Sequence, residues 1–282
     1  MKILYGVQGT GQGHISRARA MAASLRQWPA EVTWLFSGRP REGLFDMEIF
    51  GDFEHRRGLS FTTRAGRVRY WPTVHNNNLP QFLREAKELD LDSYDIIVSD
   101  YEPVTSRAAR AQGRKVIGIG HQYAFGPATP KAGASWLQQQ IMTRFAPVDV
   151  PLGLHWHPYA ENVLPPILDL PDLPVERNGH MVVYLPFEDQ DAVSTVLQQF
   201  PEQRFVQYSA ALQNEERGNV SRRKANIKGF KSDLAGCSGV ICNSGFELLS
   251  ECLQWRKPVL TKPLAGQMEQ HSNALALRQL GY

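Results

Sequence analysis

The chain has 282 residues, of which 42% are hydrophobic, 21% charged and 10% aromatic, and these proportions exclude a disordered, collagenous or coiled-coil protein. At about 150 residues per domain, this length predicts two domains. The formal net charge of +3 is too small to indicate a nucleic-acid partner, and no apolar run approaches the ~18 residues that a membrane span needs.

The cysteines Cys237, Cys242 and Cys252 predict a reducing environment. Their number is odd and they lack C-x2-C spacing, so they fit neither a disulfide framework nor a zinc site. Because disulfides are rare in reducing compartments, we expect a cytoplasmic protein.

The first half of the chain alternates short apolar runs with longer helical patterns, which is typical of βα units around a parallel sheet. The stretch Leu59–Tyr70 interrupts this alternation and predicts an additional hairpin or loop. The other predicted elements are, in chain order, strand Lys2–Val7, helix His14–Trp28, strand Glu31–Ser37, helix Leu79–Leu89, strand Tyr94–Ser99, helix Pro103–Gln112 and strand Lys115–Gly120.

A proline-dense passage begins at Pro165 and continues to Pro174. Proline supplies no N–H to a sheet or to a helix interior, so the passage ends the periodic patterns that precede it. We therefore expect an N-terminal domain of residues 1–164 and a C-terminal domain of residues 165–282.

The second half repeats the alternation of strands and helices. Its predicted elements are strand His180–Pro186, helix Asp189–Phe200, strand Arg204–Tyr208, a polar loop, helix Phe230–Ala235, strand Gly239–Cys242, helix Ser244–Gln254, strand Pro258–Lys262 and helix Gln267–Leu280. The fold class is therefore α/β, with two Rossmann-like, doubly wound domains facing across a cleft. Because the pattern stops at Tyr282 directly after a helix, we expect the C-terminal domain to lack its last elements.

A glycine-rich turn joins the first predicted strand to the first helix, and Gly9, Gly11 and Gly13 allow a ligand to approach the backbone closely. A P-loop needs Lys and Ser or Thr after its last glycine, whereas this turn continues with His and Ile. A dinucleotide fold stays an alternative, although the spacing here is G-x-G-x-G and no acidic residue follows the second predicted strand directly.

His14 lies at the start of the first predicted helix, at the carboxyl end of the predicted sheet. The partial positive charge of a helix start disfavours the imidazolium, so a neutral histidine there suits a general base. Asp100 follows the Tyr94–Ser99 strand at the same rim, where it is able to bond the other ring nitrogen and fix the tautomer. The alternatives are that His14 caps its helix or packs, and that Asp100 caps the helix opened by Pro103.

The run Cys242–Glu251 predicts a strand, a turn and a helix. Ser244 and Glu247 form an S-x-x-E pattern, which is typical of a capping box. The helix-start amides at Ser244 and Gly245 are suited to a phosphate, and the Glu251 carboxylate is able to accept from two ribose hydroxyls. The alternative for Glu251 is a surface ion pair.

The segment Lys262–Ala274 predicts a loop that enters a helix. Glu269 and Gln270 lie at the helix start, where their polar groups are suited to vicinal sugar hydroxyls, and Gln267 precedes them. Taken alone, an ordinary polar helix start is the alternative.

Three of these segments together resemble the GT-B glycosyltransferases, specifically the family-28-like group that includes the transferase adding N-acetylglucosamine in lipid II synthesis. They are the turn Gly9–His14, the C-x-S-G-x5-E stretch Cys242–Glu251 and the P-x3-Q-x-E-Q-x2-N-A stretch Pro263–Ala274. Nearly the whole chain is also similar to a widespread bacterial and archaeal group of predicted glycosyltransferases. That likeness is carried by Val98–Pro103, Pro165–Leu168 and Tyr184–Phe187.

For the donor, the resemblance implies a nucleoside-diphosphate sugar. Glu251 falls where the family's ribose-binding glutamate lies, and Glu269 and Gln270 fall where donor-sugar hydroxyls are held. Phe230 lies near the loop whose backbone reads uracil. The chain departs from the lipid II enzyme at Leu185–Glu188, where that enzyme has a glycine-serine phosphate loop.

For catalysis, the resemblance implies that His14 is a candidate base, since an Asp near the position of Asp100 partners the histidine in related plant and antibiotic enzymes. The family chain usually runs on beyond the position of Tyr282, with a last helix that crosses back onto the first domain.

We therefore expect an inverting glycosyltransferase that moves a hexose or N-acetylhexosamine from a nucleoside-diphosphate sugar, with UDP as the expected nucleotide, to an acceptor hydroxyl. We expect no metal, no cofactor and no nucleic-acid partner. The expected acceptor is a lipid-linked or cell-envelope glycan, and Glu102 and His121 are placed on the acceptor side by their rim positions.

A basic, aromatic stretch from His55 to Trp71 indicates peripheral contact with the inner face of the cell membrane, with a solvated hairpin as the alternative. Two other functional classes stay open. A nucleotide-sugar 2-epimerase has a similar architecture and similar donor contacts, and a non-catalytic nucleotide-sugar-binding protein shares the fold without the chemistry.

Overall fold

The computed structural model describes residues 1–60, 63–64, 66–68, 77–133 and 136–282. These residues form two compact units. The first holds the described residues up to Asp169 except 63–64 and 66–68, which belong with Leu170–Tyr282 to the second. The division falls inside the proline-dense passage, five residues after the predicted boundary at 164.

Strands and helices alternate in both units. The strands are β1 (Lys2–Gln8), β2 (Glu31–Ser37), β3 (Glu54–His55), β4 (Thr63–Arg64), β5 (Arg67–Val68), β6 (Ile96–Asp100), β7 (Ile117–Gly120), β8 (Val150–Leu154), β9 (Val163–Leu164), β10 (His180–Tyr184), β11 (Arg204–Ser209), β12 (Glu215–Arg217), β13 (Val220–Lys224), β14 (Gly239–Asn243) and β15 (Val259–Lys262). The α-helices are α1 (Gln12–Leu25), α2 (Leu79–Glu88), α3 (Pro103–Ala111), α4 (Trp136–Phe145), α5 (Gln190–Leu197), α6 (Ile227–Gly236), α7 (Phe246–Gln254) and α8 (Met268–Gln279).

The first unit is built around a parallel sheet with the strand order β3-β2-β1-β6-β7-β8-β9. β1 lies inside this sheet and is buried on both faces. Ile3, Tyr5 and Val7 pack on one face with residues of β2 and α1, whereas Leu4 packs on the other face with Val104 of α3. This two-sided burial explains why β1 is an almost continuous apolar run.

The strand order of the first sheet reverses between β1 and β6. From β1 the chain proceeds outward through β2 to β3, and from β6 it proceeds in the other direction through β7 to β9. Where the order reverses, the connections after neighbouring strands diverge and leave a crevice at the carboxyl ends of the strands. The turns after β1 and β6 therefore meet at the place where a doubly wound sheet binds its ligand.

The second unit has its own sheet, with the strand order β12-β13-β11-β10-β14-β15. Its strands pair in parallel except for the antiparallel pair β12–β13. The order reverses between β10 and β14, which gives this unit a switch point of its own. The antiparallel pair β4–β5 joins this unit although its residues come from the first half of the chain.

These sheets confirm the predicted α/β class with two Rossmann-like domains. The sequence missed β3, α4, β8, β9, β12 and β13. Apolar patterning fails for two of these strands in particular, because β8 contains Pro151 and Gly153 and because β13 is polar after Val220. β13 is nevertheless a strand, since it pairs with β11 and β12 on its two sides. Within the part of the chain that the structure describes, no helix is long and apolar enough to cross a membrane.

Gly6 of β1 lies against α3 more closely than any larger residue allows. A Cβ atom on Gly6 would overlap the Thr105 hydroxyl and would lie 2.9 Å from Thr105 Cβ. Thr105 is fully buried, so it has no open space into which to move. The packing of α3 on the centre of the sheet therefore depends on a glycine at this position.

We expect Gly6→Ala to lower the free energy of unfolding by about 1–3 kcal/mol, because the added methyl group overpacks the contact with Thr105. Urea unfolding followed by circular dichroism measures the loss. Gly126→Ala is the matched control, since no atom of the described residues lies within 4 Å of a Cβ placed there. Equal losses in the two variants would contradict this account of Gly6.

Candidate active site

The glycine-rich turn positions His14 by linking the end of β1 to β2. The Gly9 N–H donates to Ser37 O at 2.6 Å, and a Cβ on Gly9 would lie 2.8 Å from the same oxygen. Gly11 then serves as the N-cap of α1, with Gly13 in the first turn. The backbone approaches β2 this closely only because residue 9 is a glycine, and α1 therefore begins at the carboxyl end of β1.

His14 contacts Asp100 across the switch point of the first sheet. Val7 pairs with Asp100 in the sheet, and Asp100 Oδ1 lies 2.6 Å from His14 Nδ1. A carboxylate only accepts, so the hydrogen bond requires the proton on Nδ1 and leaves the Nε2 lone pair as the acceptor. The His14 side chain is 15% exposed and that of Asp100 is fully buried. The buried Asp100 carboxylate thus holds the His14 ring through its inner nitrogen, Nδ1.

Arg17 is the third member of this cluster, and the sequence analysis missed it. Its Nε donates to Asp100 Oδ2 at 2.8 Å and its Nη2 donates to Oδ1 at 2.5 Å, with the Arg17 side chain 1% exposed. Burial raises the pKa of Asp100, but the charges of Arg17 and His14 and their hydrogen bonds outweigh burial and hold it below its usual value. The spacing His14-x-x-Arg17, which puts both side chains on one helix face, is the signal that could have found it.

Tyr101 stacks on the His14 ring. The ring centroids lie 6.3 Å apart and the ring planes are inclined to each other by 7°. The Tyr101 hydroxyl donates to Met142 O at 2.7 Å. Tyr101 has a φ of 52°, in the left-handed region that a bulky residue rarely adopts and that costs of order 1–3 kcal/mol. Backbone strain of this kind concentrates at functional sites.

Glu102 caps α3, which corrects the expectation that Glu102 faces an acceptor and excludes the alternative that Asp100 is the cap. Its carboxylate accepts from the backbone N–H groups of Val104 at 2.8 Å and Thr105 at 2.6 Å, and from the Ser37 hydroxyl at 2.5 Å. Burial raises its pKa against these hydrogen bonds. Asp100 is therefore not the cap, and the fully buried Glu102 carboxylate is not placed to contact an acceptor.

His121 is also buried, although its rim position predicted an acceptor contact. Its Nδ1 lies 2.8 Å from Leu154 O, and its ring packs 4.9 Å from that of Phe125 and 5.0 Å from that of His155. Burial, followed by the nearby histidines, lowers the pKa of His155 to about 3, so that ring is neutral at physiological pH. This environment supports packing for His121 rather than contact with a ligand.

In the second unit, the turn after β14 begins α7 at the switch point, but not with the predicted capping box. The N-cap is Gly245, which has no side chain to cap the helix. The Ser244 hydroxyl instead bonds the Thr261 hydroxyl at 2.6 Å, and Ser244 O accepts from Asn273 Nδ2 at 2.9 Å. Ser244 thus ties β14 to β15 and α8, while α7 presents its N-terminal amides at the carboxyl end of β14.

Glu251 forms a buried ion pair rather than the surface pair considered from the sequence. Lys231 Nζ of α6 lies 2.5 Å from Glu251 Oε1, and Glu251 is 4% exposed. Phe230, the neighbour of Lys231, packs edge-on against the rings of Tyr184 and Tyr208. The carboxylate predicted to hold a ribose is therefore oriented by a lysine that the sequence analysis did not identify.

The loop before α8 holds the remaining predicted donor residues. Gln270 is buried and its Oε1 accepts from the Leu264 N–H at 2.8 Å, which fixes the loop. Gln267 is the N-cap of α8, and Glu269 lies half-buried in the first turn. Gln270 therefore shapes the loop, whereas Gln267 and Glu269 lie where the helix begins.

The hairpin β4–β5 is hydrogen-bonded to the turns that follow β10 and β15. The Gly66 N–H donates to Phe187 O at 2.7 Å, and Gly66 O accepts from the Ala265 N–H at 2.9 Å. Gly66 has a φ of 70°, and a Cβ there would meet the Glu188 carboxylate. The turn that departs from the family's glycine-serine loop is therefore bonded to a hairpin from the first half of the chain.

An apolar groove of about 820 Å³ also lies in the second unit, against α5. None of the predicted donor residues lines it; its walls include Met181, Val193, Val196, Phe200 and Leu260. Such a lining does not suit a nucleoside diphosphate, which leaves the switch points as the candidate site. In the part of the chain that the structure describes, no three His, Cys, Asp or Glu side chains cluster as metal ligands.

A family model described as "Glycosyl transferase family 1" matches residues 1–282 of the chain. No curated protein sequence matches it. Among solved structures, the glycosyltransferase SnogD from Streptomyces nogalater is 17% identical, with 100% of this chain and 85% of that chain covered and a TM-score of 0.57.

Two further solved structures have the same fold. MurG from Acinetobacter baumannii is 18% identical over 99% of this chain and 84% of that chain, with a TM-score of 0.53. The glycosyltransferase SsfS6 from Streptomyces sp. SF2575, complexed with thymidine diphosphate, is 13% identical over 99% of this chain and 86% of that chain, with a TM-score of 0.59. At these identities the likeness establishes the fold alone.

We expect Asp100→Asn to lower the free energy of unfolding by about 3–5 kcal/mol at neutral pH, because Arg17 would be left as a buried cation without its carboxylate. Since the folded-state pKa of Asp100 lies below its usual value, the wild type keeps this contribution above the usual carboxyl range and loses it as the pH falls through the folded-state pKa. The difference in the free energy of unfolding between the wild type and Asp100→Asn should therefore become smaller at acid pH. Chemical denaturation at several pH values measures it.

The matched control is Asp191→Asn, which removes a carboxylate that is 75% exposed and pairs with Arg217 at 3.2 Å and with Arg222 at 3.0 Å, while Arg222 keeps its pair with Glu215 at 2.7 Å. We expect a loss below about 1 kcal/mol, because exposed ion pairs contribute little. A loss of that small size for Asp100→Asn would show that its buried pair is dispensable.

Proposed function

We propose that this chain, which belongs to glycosyl transferase family 1 and is a glycosyltransferase, moves a hexose or N-acetylhexosamine from a nucleoside-diphosphate sugar to an acceptor hydroxyl with inversion. The observation that carries the mechanism is the 2.6 Å contact between His14 and Asp100 at the switch point of the first sheet. It presents an imidazole whose outer nitrogen is the proton acceptor. The proposal requires no metal and no cofactor.

In the proposed step, His14 Nε2 accepts the proton of the acceptor hydroxyl while that oxygen forms a bond to the anomeric carbon. The bond between the anomeric carbon and the diphosphate oxygen breaks, and its electron pair leaves with the nucleoside diphosphate. Attack opposite the leaving group inverts the anomeric centre. Asp100 orients the ring throughout through its bond to Nδ1.

For the donor, we propose the switch point of the second unit. The N-terminal amides of α7, at Gly245 and Phe246, are suited to the diphosphate and would stabilise the charge on the leaving group. Glu251, which Lys231 orients, would accept from the ribose hydroxyls, and Gln267 and Glu269 would bond sugar hydroxyls.

UDP is the proposed nucleotide, and a family-28-like, lipid-linked or cell-envelope glycan is the proposed acceptor. MurG is among the proteins that share the fold, whereas the SsfS6 structure contains thymidine diphosphate, so the nucleotide has to be measured. The stretch from His55 to Trp71, which predicted membrane contact, lies partly outside the described residues. Peripheral membrane association therefore stays a proposal that rests on the sequence.

Thermal shift with UDP-, GDP- and dTDP-sugars tests the donor, because a ligand present at 100 times its Kd stabilises the folded state by about 2.7 kcal/mol. The sugar that shifts the melting temperature is then supplied with glycan acceptors, and the product is analysed by mass spectrometry and by the anomeric coupling constant in NMR. Transfer with inversion supports the proposal. An epimerised sugar formed without acceptor, or binding without any turnover, would overturn it.

His14→Ala should lower turnover by on the order of 10²- to 10⁴-fold and leave donor affinity nearly unchanged, because the variant loses the base and keeps the nucleotide site. Steady-state kinetics and calorimetry with the identified donor measure the two quantities. His157→Ala is the control, since it removes an exposed imidazole from the same unit. Wild-type turnover in His14→Ala would refute the base assignment.

Glu251→Gln should weaken donor binding by about tenfold or more, because hydrogen bonds to a charged group contribute about 1.5–3 kcal/mol. Lys231→Met retains the carboxylate but leaves it buried without its partner, so this variant should lower the free energy of unfolding by about 3–5 kcal/mol and weaken donor binding less than Glu251→Gln does. Calorimetric titration of both variants separates ligand binding from structural support. Equal affinities for both variants and the wild type would leave Glu251 with a structural role only.

A further inference from the structure

The guanidinium of Arg17 makes the cluster around His14 different from a simple histidine–aspartate pair. In a simple pair, one carboxylate oxygen bonds the ring and the full negative charge stabilises the imidazolium. Here Arg17 takes both oxygens of Asp100, through Nε to Oδ2 at 2.8 Å and through Nη2 to Oδ1 at 2.5 Å. The carboxylate is already neutralised before His14 gains a proton.

The distances among three atoms show how the protons are arranged. His14 Nδ1, Asp100 Oδ1 and Arg17 Nη2 lie within 2.5–2.9 Å of one another. The guanidinium always keeps its protons and the carboxylate is the acceptor that both nitrogens share, so Nδ1–H and Nη2–H both point at Oδ1. The 2.9 Å approach of Nη2 to Nδ1 is then a contact between two donors and not a hydrogen bond.

This approach has an electrostatic consequence. When Nε2 takes a proton, the resulting imidazolium lies against a fixed positive charge inside the protein, where screening by water is weak. Arg17 therefore offsets the stabilisation that Asp100 gives to the imidazolium, while the bidentate bond keeps the carboxylate in the geometry that orients the ring.

The two buried phenols at this point supply no competing charge. Tyr5 of β1 and Tyr123, in the turn after β7, both interact with Asp100 and Arg17, and burial is the largest cause that raises the pKa of each phenol. Tyr101 stacks on the ring through its aromatic face. The charge of Glu102 adds to the effect of burial in raising the pKa of Tyr123. Burial also raises the pKa of Glu102 itself.

We propose that Arg17 is a positioning residue of the active site: it clamps Asp100 in the orientation that holds His14, and its positive charge, next to the ring, opposes protonation of the imidazole. This inference rests on the proposed function, because it assigns to Arg17 a role in the base step. It predicts that removing Arg17 and removing Asp100 change the protonation of His14 in opposite directions, so that the two changes offset each other when both groups are removed.

A double-mutant cycle on the full chain tests this cancellation. The four proteins are the wild type, Arg17→Gln, Asp100→Asn and the double variant, and the protonated fraction of the His14 ring is followed by ¹⁵N NMR between pH 5 and 9. We expect Arg17→Gln to keep the ring protonated to a pH about one unit higher or more, and Asp100→Asn to move it in the opposite direction. The double variant should return close to the wild type.

Arg17→Lys is the conservative variant. It keeps the positive charge but replaces the planar fork with a single ammonium, so the ring should titrate near the wild type while turnover falls because the carboxylate is held less firmly. In Arg17→Gln, the acid limb of kcat should move to higher pH while the KM for the donor stays within a few-fold. A role for Arg17 in folding alone would move the unfolding midpoint and leave the titration of the ring unchanged.

The inference is overturned if Arg17→Gln titrates like the wild type, or if the double variant titrates like Asp100→Asn. Should the buried carboxylate prevent Arg17→Gln from folding, Arg17→Lys and the double variant still decide the matter, since neither leaves an uncompensated buried charge. The NMR measurement needs no turnover. It therefore remains decisive even if the protein transfers no sugar, so a failure of the proposed function and a failure of this inference are distinguishable.

Discussion

The first unit depends on compensating one buried charge. Asp100 lies at the end of an inner strand with no exposed surface, where an unpaired carboxylate would cost several kcal/mol. Both compensating groups come from α1, with His14 and Arg17 one turn apart on the same face. They reach the carboxylate only because α1 begins directly at the end of β1, and that start is set by the close approach of Gly9 to β2. The compensation of the Asp100 charge thus depends on the glycine turn, the start of α1 and the end of β6 together.

In the second unit, several polar side chains form hydrogen bonds and ion pairs that hold the loops of the same unit in place. Ser244 links β14 to β15 and α8, Gln270 bonds the loop before α8, and Lys231 orients Glu251 from a neighbouring helix. Side chains whose polar atoms are engaged in this way act by making the loops rigid. A site that is held in place before its ligand arrives loses less entropy on binding. In the proposed donor site, the groups that would meet the donor are backbone amides and a few oriented carboxylates and amides.

The comparisons set a clear division between fold and chemistry. Solved structures only 13–18% identical to this chain share its architecture over at least 99% of its length. A doubly wound fold places ligands at its switch points whatever the ligand is, so the architecture fixes where chemistry happens and leaves open which sugar and which acceptor take part. Under the proposed function, side chains such as Glu269 would make those choices.

The sequence by itself determined the α/β class and most elements of both sheets, because two-sided burial turns inner strands such as β1 and β14 into apolar runs. It also indicated His14 and Asp100, since residues that follow inner strands gather at the carboxyl edge of a parallel sheet. Only the tertiary structure decided which polar group meets which. Arg17 reads as an ordinary helical arginine, Glu102 rather than Asp100 caps α3, and the S-x-x-E pattern at Ser244 is not a capping box. The polar sequence of β13 likewise does not predict a strand, and β13 forms because its backbone pairs with β11 on one side and β12 on the other. The physical reason is the same in each case: periodicity records which face of an element is buried, whereas a hydrogen bond or an ion pair depends on atoms brought together from distant parts of the chain.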